Sequence, residues 1–227
     1  MASFSTTATV EESRISLGEG VRPDSPDYTT RLRRARLGLL VALTPVLMLF
    51  VSFSSAYVVR QGLPTLDPRT NQLVLDWIPV TLPKLLLLNT GVLILSSLFM
   101  ELARRQIKGQ ATSIPGTSVE STKIPWLPMT LVLGLAFLFG QWTAWRQLAA
   151  SGFYVATTPS SSFVYLLTGT HAVHLMGGVL ALFVAGIASL LQRSVATRSI
   201  VVDVTAWYWH FMAALWIYIL CLLEFAG

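Results

Sequence analysis

The sequence predicts an all-α integral membrane protein that folds as a bundle of five transmembrane helices. Hydrophobic residues make up 53% of the chain and charged residues only 12%, with a mean hydropathy of +0.63; soluble domains do not have this composition. Five apolar runs are each long enough to cross a bilayer, which takes about 20 residues. Lysines and arginines lie almost entirely between these runs, as in membrane proteins whose basic loops set their orientation.

The N-terminal segment differs from the rest of the chain. Residues 1–34 are polar and rich in serine and threonine, and they close on arginines that include Arg31, Arg33 and Arg34. Such a segment lacks the apolar surface needed to fold, so we predict a disordered tail over residues 1–34 and a membrane domain over residues 35–227. The five predicted spans of that domain cover residues 37–59, 83–103, 125–148, 163–191 and 201–225.

The second and third spans each carry one amide side chain. Asn89 lies within the second span and Gln141 within the third. Because polar side chains inside a span face protein rather than lipid, we expect both to be buried between helices. Glu101, near the end of the second span, is expected to pair with Arg104 and Arg105.

The fourth span combines two histidines with a stripe of small residues. His171 and His174 are three residues apart and therefore share one face of a helix. Gly177, Ala181 and Ala185 recur every fourth residue, which allows another helix to approach closely. We therefore expect this helix to pack against protein, with the histidines hydrogen-bonded between helices.

The fifth span contains an aromatic cluster that runs from Trp207 to Phe211. On a helix these side chains point in all directions, and tryptophan and tyrosine suit the headgroup boundary of a membrane. Two interpretations stay open: a plain interfacial belt, or a wall against which a lipid or a partner subunit packs. In the second, Arg198 holds a phosphate through two hydrogen bonds, since basic pockets on the cytoplasmic side favour phosphate groups. The predicted lipid-binding residues are Arg198, Asp203, Trp207, Trp209 and His210.

The distribution of basic residues predicts the orientation. The N-terminal segment as far as Arg36 and the two loops on its side of the membrane hold twelve lysines and arginines, against four on the opposite side. Basic residues accumulate on the cytoplasmic side, so we predict a cytoplasmic N-terminus and an outside C-terminus. This distribution also accounts for the net charge of +5, so no nucleic-acid partner is predicted.

No catalytic, metal-binding or cofactor-binding residues are predicted in this chain. Its one cysteine, Cys221, lies in an apolar run, which excludes disulfides and cysteine-based metal sites. A proton path needs a series of carboxylates, whereas Asp203 and Glu224 lie near opposite ends of the fifth span. His174 and His210 leave one alternative open, a haem-binding membrane anchor with one axial histidine from each of two helices.

Five short motifs follow one another over residues 36–227. They are Ser55-Ala56-Tyr57, Leu88-Asn89-Thr90 with Ser96-Ser97, Gly140-Gln141 with Trp145, Thr168-Gly169-Thr170-His171-Ala172-Val173-His174, and Ala206-Trp207-Tyr208-Trp209-His210-Phe211 followed by Trp216. In order and spacing they resemble the motifs of subunit III of the haem-copper terminal oxidases, in the short five-helix form found in bacteria.

This resemblance implies a function and a set of partners. Subunit III is a non-catalytic subunit of a proton-pumping cytochrome c or quinol oxidase that reduces oxygen to water in the bacterial inner membrane. It stabilises the catalytic subunit I, its main expected partner beside subunits II and IV, and it binds phospholipid. Haem and copper are expected in the partner subunits rather than in this chain. An accessory subunit of a nitric oxide reductase is an alternative that the motifs do not separate from this one.

Three positions depart from the family that the motifs resemble, and each replaces a carboxylate. Val46 stands in the first span, Ala144 follows the Gly140-Gln141 pair, and Ala213 follows the aromatic segment. Asp203, in contrast, keeps an acidic residue ahead of that segment. The resemblance therefore does not extend to a buried-acid role in proton delivery.

Overall fold

The computed structural model describes residues 26–66, 71–74, 77, 83–112, 125–155, 157–190 and 195–225. These residues form five helices and one short antiparallel hairpin. The elements are α1 (Pro26–Gln61), β1 (Thr65–Leu66), β2 (Leu73–Val74), α2 (Leu85–Thr112), α3 (Trp126–Ala150), α4 (Pro159–Leu190) and α5 (Val195–Phe225).

The predicted fold class is confirmed. All five helices in the described part of the chain are long and apolar enough to cross a membrane. The hairpin pairs Thr65 with Val74 and Leu66 with Leu73. It lies in the loop between α1 and α2, and the sequence did not predict it.

Helix α1 begins at Pro26 rather than at the predicted position 37. The early turns are helical because they pack against α5: the hydroxyl of Tyr28 hydrogen-bonds that of Ser199 at 2.9 Å, and Arg36 binds Asp203. Residues 26–34, which we predicted as the end of a disordered tail, therefore belong to α1. The remainder of that predicted tail, residues 1–25, lies outside the described residues.

The helices pack as a bundle in which α4 and α5 each contact three others. Helix α5 packs against α1, α2 and α4, and α4 packs against α1, α3 and α5, while α2 and α3 pack against each other. The core consists of large side chains that these contacts remove from the surface. Fully buried members include Phe50, Leu93, Phe137, Leu167, Leu175, Trp209 and Trp216.

Glycine at two positions of α3 allows this close packing. A Cβ atom on Gly134 would lie 2.7 Å from the ring of Trp209, and one on Gly140 would overlap the amide of Asn89. The absence of a side chain at these positions therefore lets the Trp209 ring of α5 and the Asn89 amide of α2 lie against the backbone of α3.

Helix α4 begins at Pro159 because the residues around it satisfy the free backbone donors of a helix start. The Ser161 amide donates to Thr158 Oγ1 at 3.2 Å, and the Thr158 amide donates to Ser161 Oγ at 3.1 Å. Proline suits the first helical position, where its missing N–H is not needed. The histidines further along α4 are thereby held in a fixed register.

Candidate functional site

Asp203 of α5 is the centre of an ionic cluster that joins three helices. Its side chain is 0% exposed. Oδ2 accepts a hydrogen bond from Arg36 Nε of α1 at 2.8 Å, and Oδ1 accepts one from Arg36 Nη2 at 3.0 Å. From α2, Lys108 Nζ lies 2.9 Å and Arg104 Nη1 3.5 Å from Oδ1. A buried carboxylate needs such partners, so the folded chain requires α1, α2 and α5 to meet here.

Glu101 of α2 adds a second carboxylate to the cluster, because Arg104 contacts both Glu101 and Asp203. Arg104 contacts both of its oxygens, at 2.8 and 3.0 Å, and Arg105 Nε lies 2.9 Å from Oε1. The predicted pairing of Glu101 with these two arginines is therefore confirmed. His210 of α5 approaches the same carboxylate at 3.5 Å through Nε2, and its Nδ1 lies 2.5 Å from Ser97 Oγ.

The cluster carries more positive than negative charge. We define it as Arg36, Glu101, Arg104, Arg105, Lys108 and Asp203. Four cationic side chains therefore surround two carboxylates. Such a surplus at the end of a membrane helix bundle attracts phosphate groups.

The five predicted lipid-binding residues fall into two groups. Asp203 and Trp209 are fully buried, and Trp209 donates from Nε1 to Ser96 Oγ of α2 at 3.2 Å. Trp207 is 49% exposed and lies 6.0 Å from Arg36 Cζ, within cation–π range. Arg198 and His210 are partly exposed. Only the second group, of Trp207, Arg198 and His210, can therefore reach a headgroup directly.

A lateral groove runs between α1, α4 and α5, next to the ionic cluster. It consists of two adjoining cavities of about 360 and 490 Å³ that share Ala35, Ile200 and Val201. Arg31 and Arg34 line the first cavity. The second is mostly apolar and is lined by Gly177, Leu180, Ala181, Val184, Val204 and Thr205. The lateral groove therefore has a basic mouth and an apolar interior.

This groove changes the role of the small-residue stripe on α4. Ala185 is 1% exposed and packs inside the bundle. Gly177 and Ala181 instead form part of the groove wall. A Cβ atom on Gly177 would meet Tyr208 Oη at 3.6 Å, an ordinary contact. The stripe therefore faces protein at one end and an open groove at the other.

A second group of polar residues lies deeper in the bundle. Asn89 is buried and donates from Nδ2 to the Phe137 carbonyl at 3.1 Å, which joins α2 to α3. Gln141 and His171 are 2% and 1% exposed. The His171 ring lies 6.1 Å from Phe137 and 5.0 Å from Trp216, measured between ring centroids. All three side chains are buried. The expected hydrogen bond from His171 to another helix is not found, because neither of its ring nitrogens has a partner among the described residues.

His174 and His210 face different helices. His174 Nδ1 lies 2.8 Å from the Thr170 carbonyl, and its ring meets Phe50 of α1 edge-on at 5.9 Å. His210 faces Ser97 of α2. Haem ligation needs two imidazoles that converge on one iron, so this placement does not favour the haem-anchor alternative. Among the described residues, no three or more histidine, cysteine or acidic side chains form a group suited to a metal ion.

The sequence did not identify Arg36 and Lys108 as partners of Asp203. It also did not identify Arg31 and Arg34 as residues that line a groove. A buried carboxylate in an apolar run signals that a cation must lie nearby. That signal does not say which of sixteen lysines and arginines supplies it.

Taken together, the fold and these contacts define a multi-pass membrane protein whose described polar side chains mainly join helices to one another. The comparisons give its family. A model of cytochrome c oxidase subunit III matches residues 27–227, which include all five helices except Pro26, the first residue of α1. The chain belongs to this family, and its resemblance to oxidase subunit III is confirmed. In the oxidase complex, subunit III is a non-catalytic subunit that carries no cofactor.

Individual relatives agree with this assignment. The chain is 35% identical over 103 residues to a probable cytochrome c oxidase subunit 3 of Mycobacterium bovis, covering 44% of this chain and 49% of the relative. It is 23% identical over 202 residues to cytochrome c oxidase subunit 3 of Schizophyllum commune, covering 88% and 71%. A third relative, from Heterololigo bleekeri, is 24% identical over 182 residues, covering 80% and 66%. The chain thus matches about half the length of the mycobacterial relative.

Proposed function

We propose that this chain is the non-catalytic subunit III of a proton-pumping terminal oxidase that reduces oxygen to water in a bacterial plasma membrane. The family match across all five helices carries this proposal. The chain would stabilise subunit I, its main partner, beside subunits II and IV. Haem and copper would lie in those partners. The N-terminus would be cytoplasmic and the C-terminus outside, as the basic residues predict.

The exterior of the bundle supports a role in assembly. Many large apolar side chains are exposed on α1, including Val41 at 73% and Met48 at 65%. In a membrane such a surface contacts either acyl chains or the helices of another subunit. The buried polar residues, in turn, hold the five helices in one arrangement that a partner can recognise.

Purification of the intact complex tests this function. A tag on this chain should recover, from bacterial membranes in mild detergent, a complex that contains haem and copper and that consumes oxygen. Inductively coupled plasma mass spectrometry would measure copper, and a pyridine haemochrome spectrum would measure haem. A haem-containing complex without copper would favour the nitric oxide reductase alternative. Haem on this chain alone would favour the haem anchor.

We further propose that the lateral groove binds one anionic phospholipid. Its phosphate would lie at the basic mouth by Arg31 and Arg34, and one acyl chain would follow the apolar wall past Ala181. Arg198 and Trp207 would support the headgroup region, as predicted, whereas His210 faces Ser97 of α2, outside the groove. Asp203 and Trp209 would contribute indirectly, because they hold in place the helices on which the exposed residues stand. Phosphate recognition by arginine pairs supports this arrangement.

The lipid proposal has a matched control within α1. Arg34→Gln should lower the amount of phospholipid that co-purifies, measured by lipid mass spectrometry on the complex, because Arg34 lines the basic mouth of the groove. Arg33→Gln removes the same charge from an exposed position that does not line the groove, and it should leave the lipid content unchanged. Equal lipid content in both variants would contradict the proposed headgroup site. Arg198→Ala tests the supporting role of Arg198 in the same measurement.

A further inference from the structure

Two buried polar side chains, Gln141 on α3 and His171 on α4, have hydrogen-bonding atoms that the protein does not satisfy. Both ring nitrogens of His171 and Oε1 of Gln141 are buried, and none has a hydrogen-bond partner among the residues that the structure describes. Buried polar groups are almost always hydrogen-bonded to protein or to ordered water. These three atoms therefore lack a partner in the described chain, and one water molecule can serve Oε1 together with one of the two ring nitrogens.

Two contacts place the face of α3 that carries Gln141 against the turn of α4 that carries His171. Phe137 and Trp145 lie one helical turn before and after Gln141. The Phe137 ring contacts His171, and Trp145 Nε1 donates to Thr168 Oγ1 at 3.1 Å. Because residues four apart lie on one helix face, Gln141 faces the same turn of α4, from Thr168 to His171.

The chemistry of the three atoms defines the ligand. A neutral imidazole has one N–H donor and one acceptor nitrogen, and Gln141 Oε1 is an acceptor only. A water molecule can donate to Oε1 and either donate to, or accept from, one ring nitrogen of His171. Ala144, small and buried on the next turn of α3, limits how far side chains fill this region. A water site needs such room and at least two polar partners.

We propose that an ordered water molecule bridges His171 and Gln141 and so fixes the register of α3 against α4. The aromatic rings of Phe137 and Trp216, which lie 5.1 Å apart and pack edge to face, close this site on the side of α5. The site is separate from the lateral groove and from the ionic cluster. It does not depend on the proposed function, because it rests on contacts within this chain.

A density map gives the direct test. A cryo-electron microscopy map of the purified complex at about 2 Å should show a density peak within about 3.2 Å of both a His171 ring nitrogen and Gln141 Oε1. A well-resolved map with no peak there would overturn the proposal. So would a map in which the His171 ring nitrogens and Gln141 Oε1 bind protein groups instead.

Thermal unfolding of variants gives an independent test. If the site is hydrated, Gln141→Leu and His171→Phe should each lower Tm by about 2–4 °C. The double variant should then lose no more than the larger single loss, since both changes remove the same bridge. If the site is dry, both single variants should raise Tm, because each removes an unsatisfied polar group. A rise in Tm, or fully additive losses, would overturn the proposal.

A matched control uses the same change on the same helix. Gln147 lies on the exposed side of α3, so Gln147→Leu should leave Tm unchanged. Should His171→Phe fail to assemble, the comparison of Gln141→Leu with Gln147→Leu still separates a hydrated site from a dry one. A loss of Tm in the first and not in the second supports the water site, and equal effects contradict it.

Discussion

Helices α1 and α5 illustrate two ways of holding a helix in this bundle. In the most apolar 18-residue stretch of α5, 44% of the residues are buried, whereas in the corresponding stretch of α1 only 17% are buried. Helix α5 contributes the fully buried Trp209 and Trp216, and each indole donates a hydrogen bond to α2. Helix α5 is therefore held by large buried side chains that pack closely along its length.

Helix α1 is attached at a few separate points. Arg36 and Tyr28 bind α5 near its start, Phe50 contacts His174 in its middle, and Tyr57 packs against Phe163 near its end. Between these points its outer face is apolar and open. The comparison indicates that α5 determines the stability of the bundle, while α1 forms a side wall that leaves room for the lateral groove.

The largest effect is expected from loss of a core indole. Trp209→Ala should destabilise the chain by about 3–5 kcal/mol, because it leaves a cavity and removes a hydrogen bond to α2. Trp207→Ala, two residues away on the half-exposed face, should cost less than about 1 kcal/mol. Thermal unfolding of the purified complex measures both. Similar losses in the two variants would contradict the assignment of α5 as a helix held by its buried face.

An intermediate effect is expected at the ionic cluster. Asp203→Asn should cost about 2–3 kcal/mol, because Arg36 and Lys108 lose their shared charged partner. This estimate is below that for a fully buried pair, since both basic side chains are partly exposed, at 38% and 42%. Limited proteolysis near the start of α1 should also accelerate. If cleavage there proceeds at the wild-type rate in this variant, the cluster does not hold α1.

The smallest effects are expected along the α4 stripe, where the two ends should differ. Ala185→Leu should cost about 1–3 kcal/mol by overpacking a buried position. Ala181→Leu should cost less, because its side chain can enter the lateral groove, but it should displace lipid. Unfolding and lipid mass spectrometry of the same two samples separate these outcomes. A larger loss of stability for Ala181→Leu would show that the groove closes in the assembled complex.

The features that the sequence predicted are those determined by residues close to one another in the chain. Hydropathy runs predicted five spans, and the spacing of Glu101, Arg104 and Arg105 predicted their pairing, because residues three and four apart are neighbours on a helix. Polar residues within spans were expected to be buried; Asn89, Gln141 and His171 are buried, whereas His174 is only half-buried.

Contacts between distant residues could not be predicted in this way. Asp203 and Arg36 are 167 positions apart, so their pairing depends on how α1 crosses α5. The aromatic run of α5 likewise did not indicate that Trp209 would be buried and Trp207 half exposed. Both residues are tryptophan and they lie only two positions apart, so composition does not distinguish them. The start of α1 was placed too late for a related reason: its polar first turns are stabilised by α5, not by their own composition.

The central claim, that buried Asp203 ties the start of α1 to the rest of the bundle, can be measured as a distance. Spin labels at Leu37 on α1 and Leu102 on α2, both exposed positions, in a Cys221→Ser background, report this distance by pulsed electron paramagnetic resonance. The wild-type cluster should give one narrow distribution, and Asp203→Asn should broaden it. Glu224→Gln, an exposed change at the far end of α5, should leave it narrow. An equally narrow distribution in Asp203→Asn would contradict the claim.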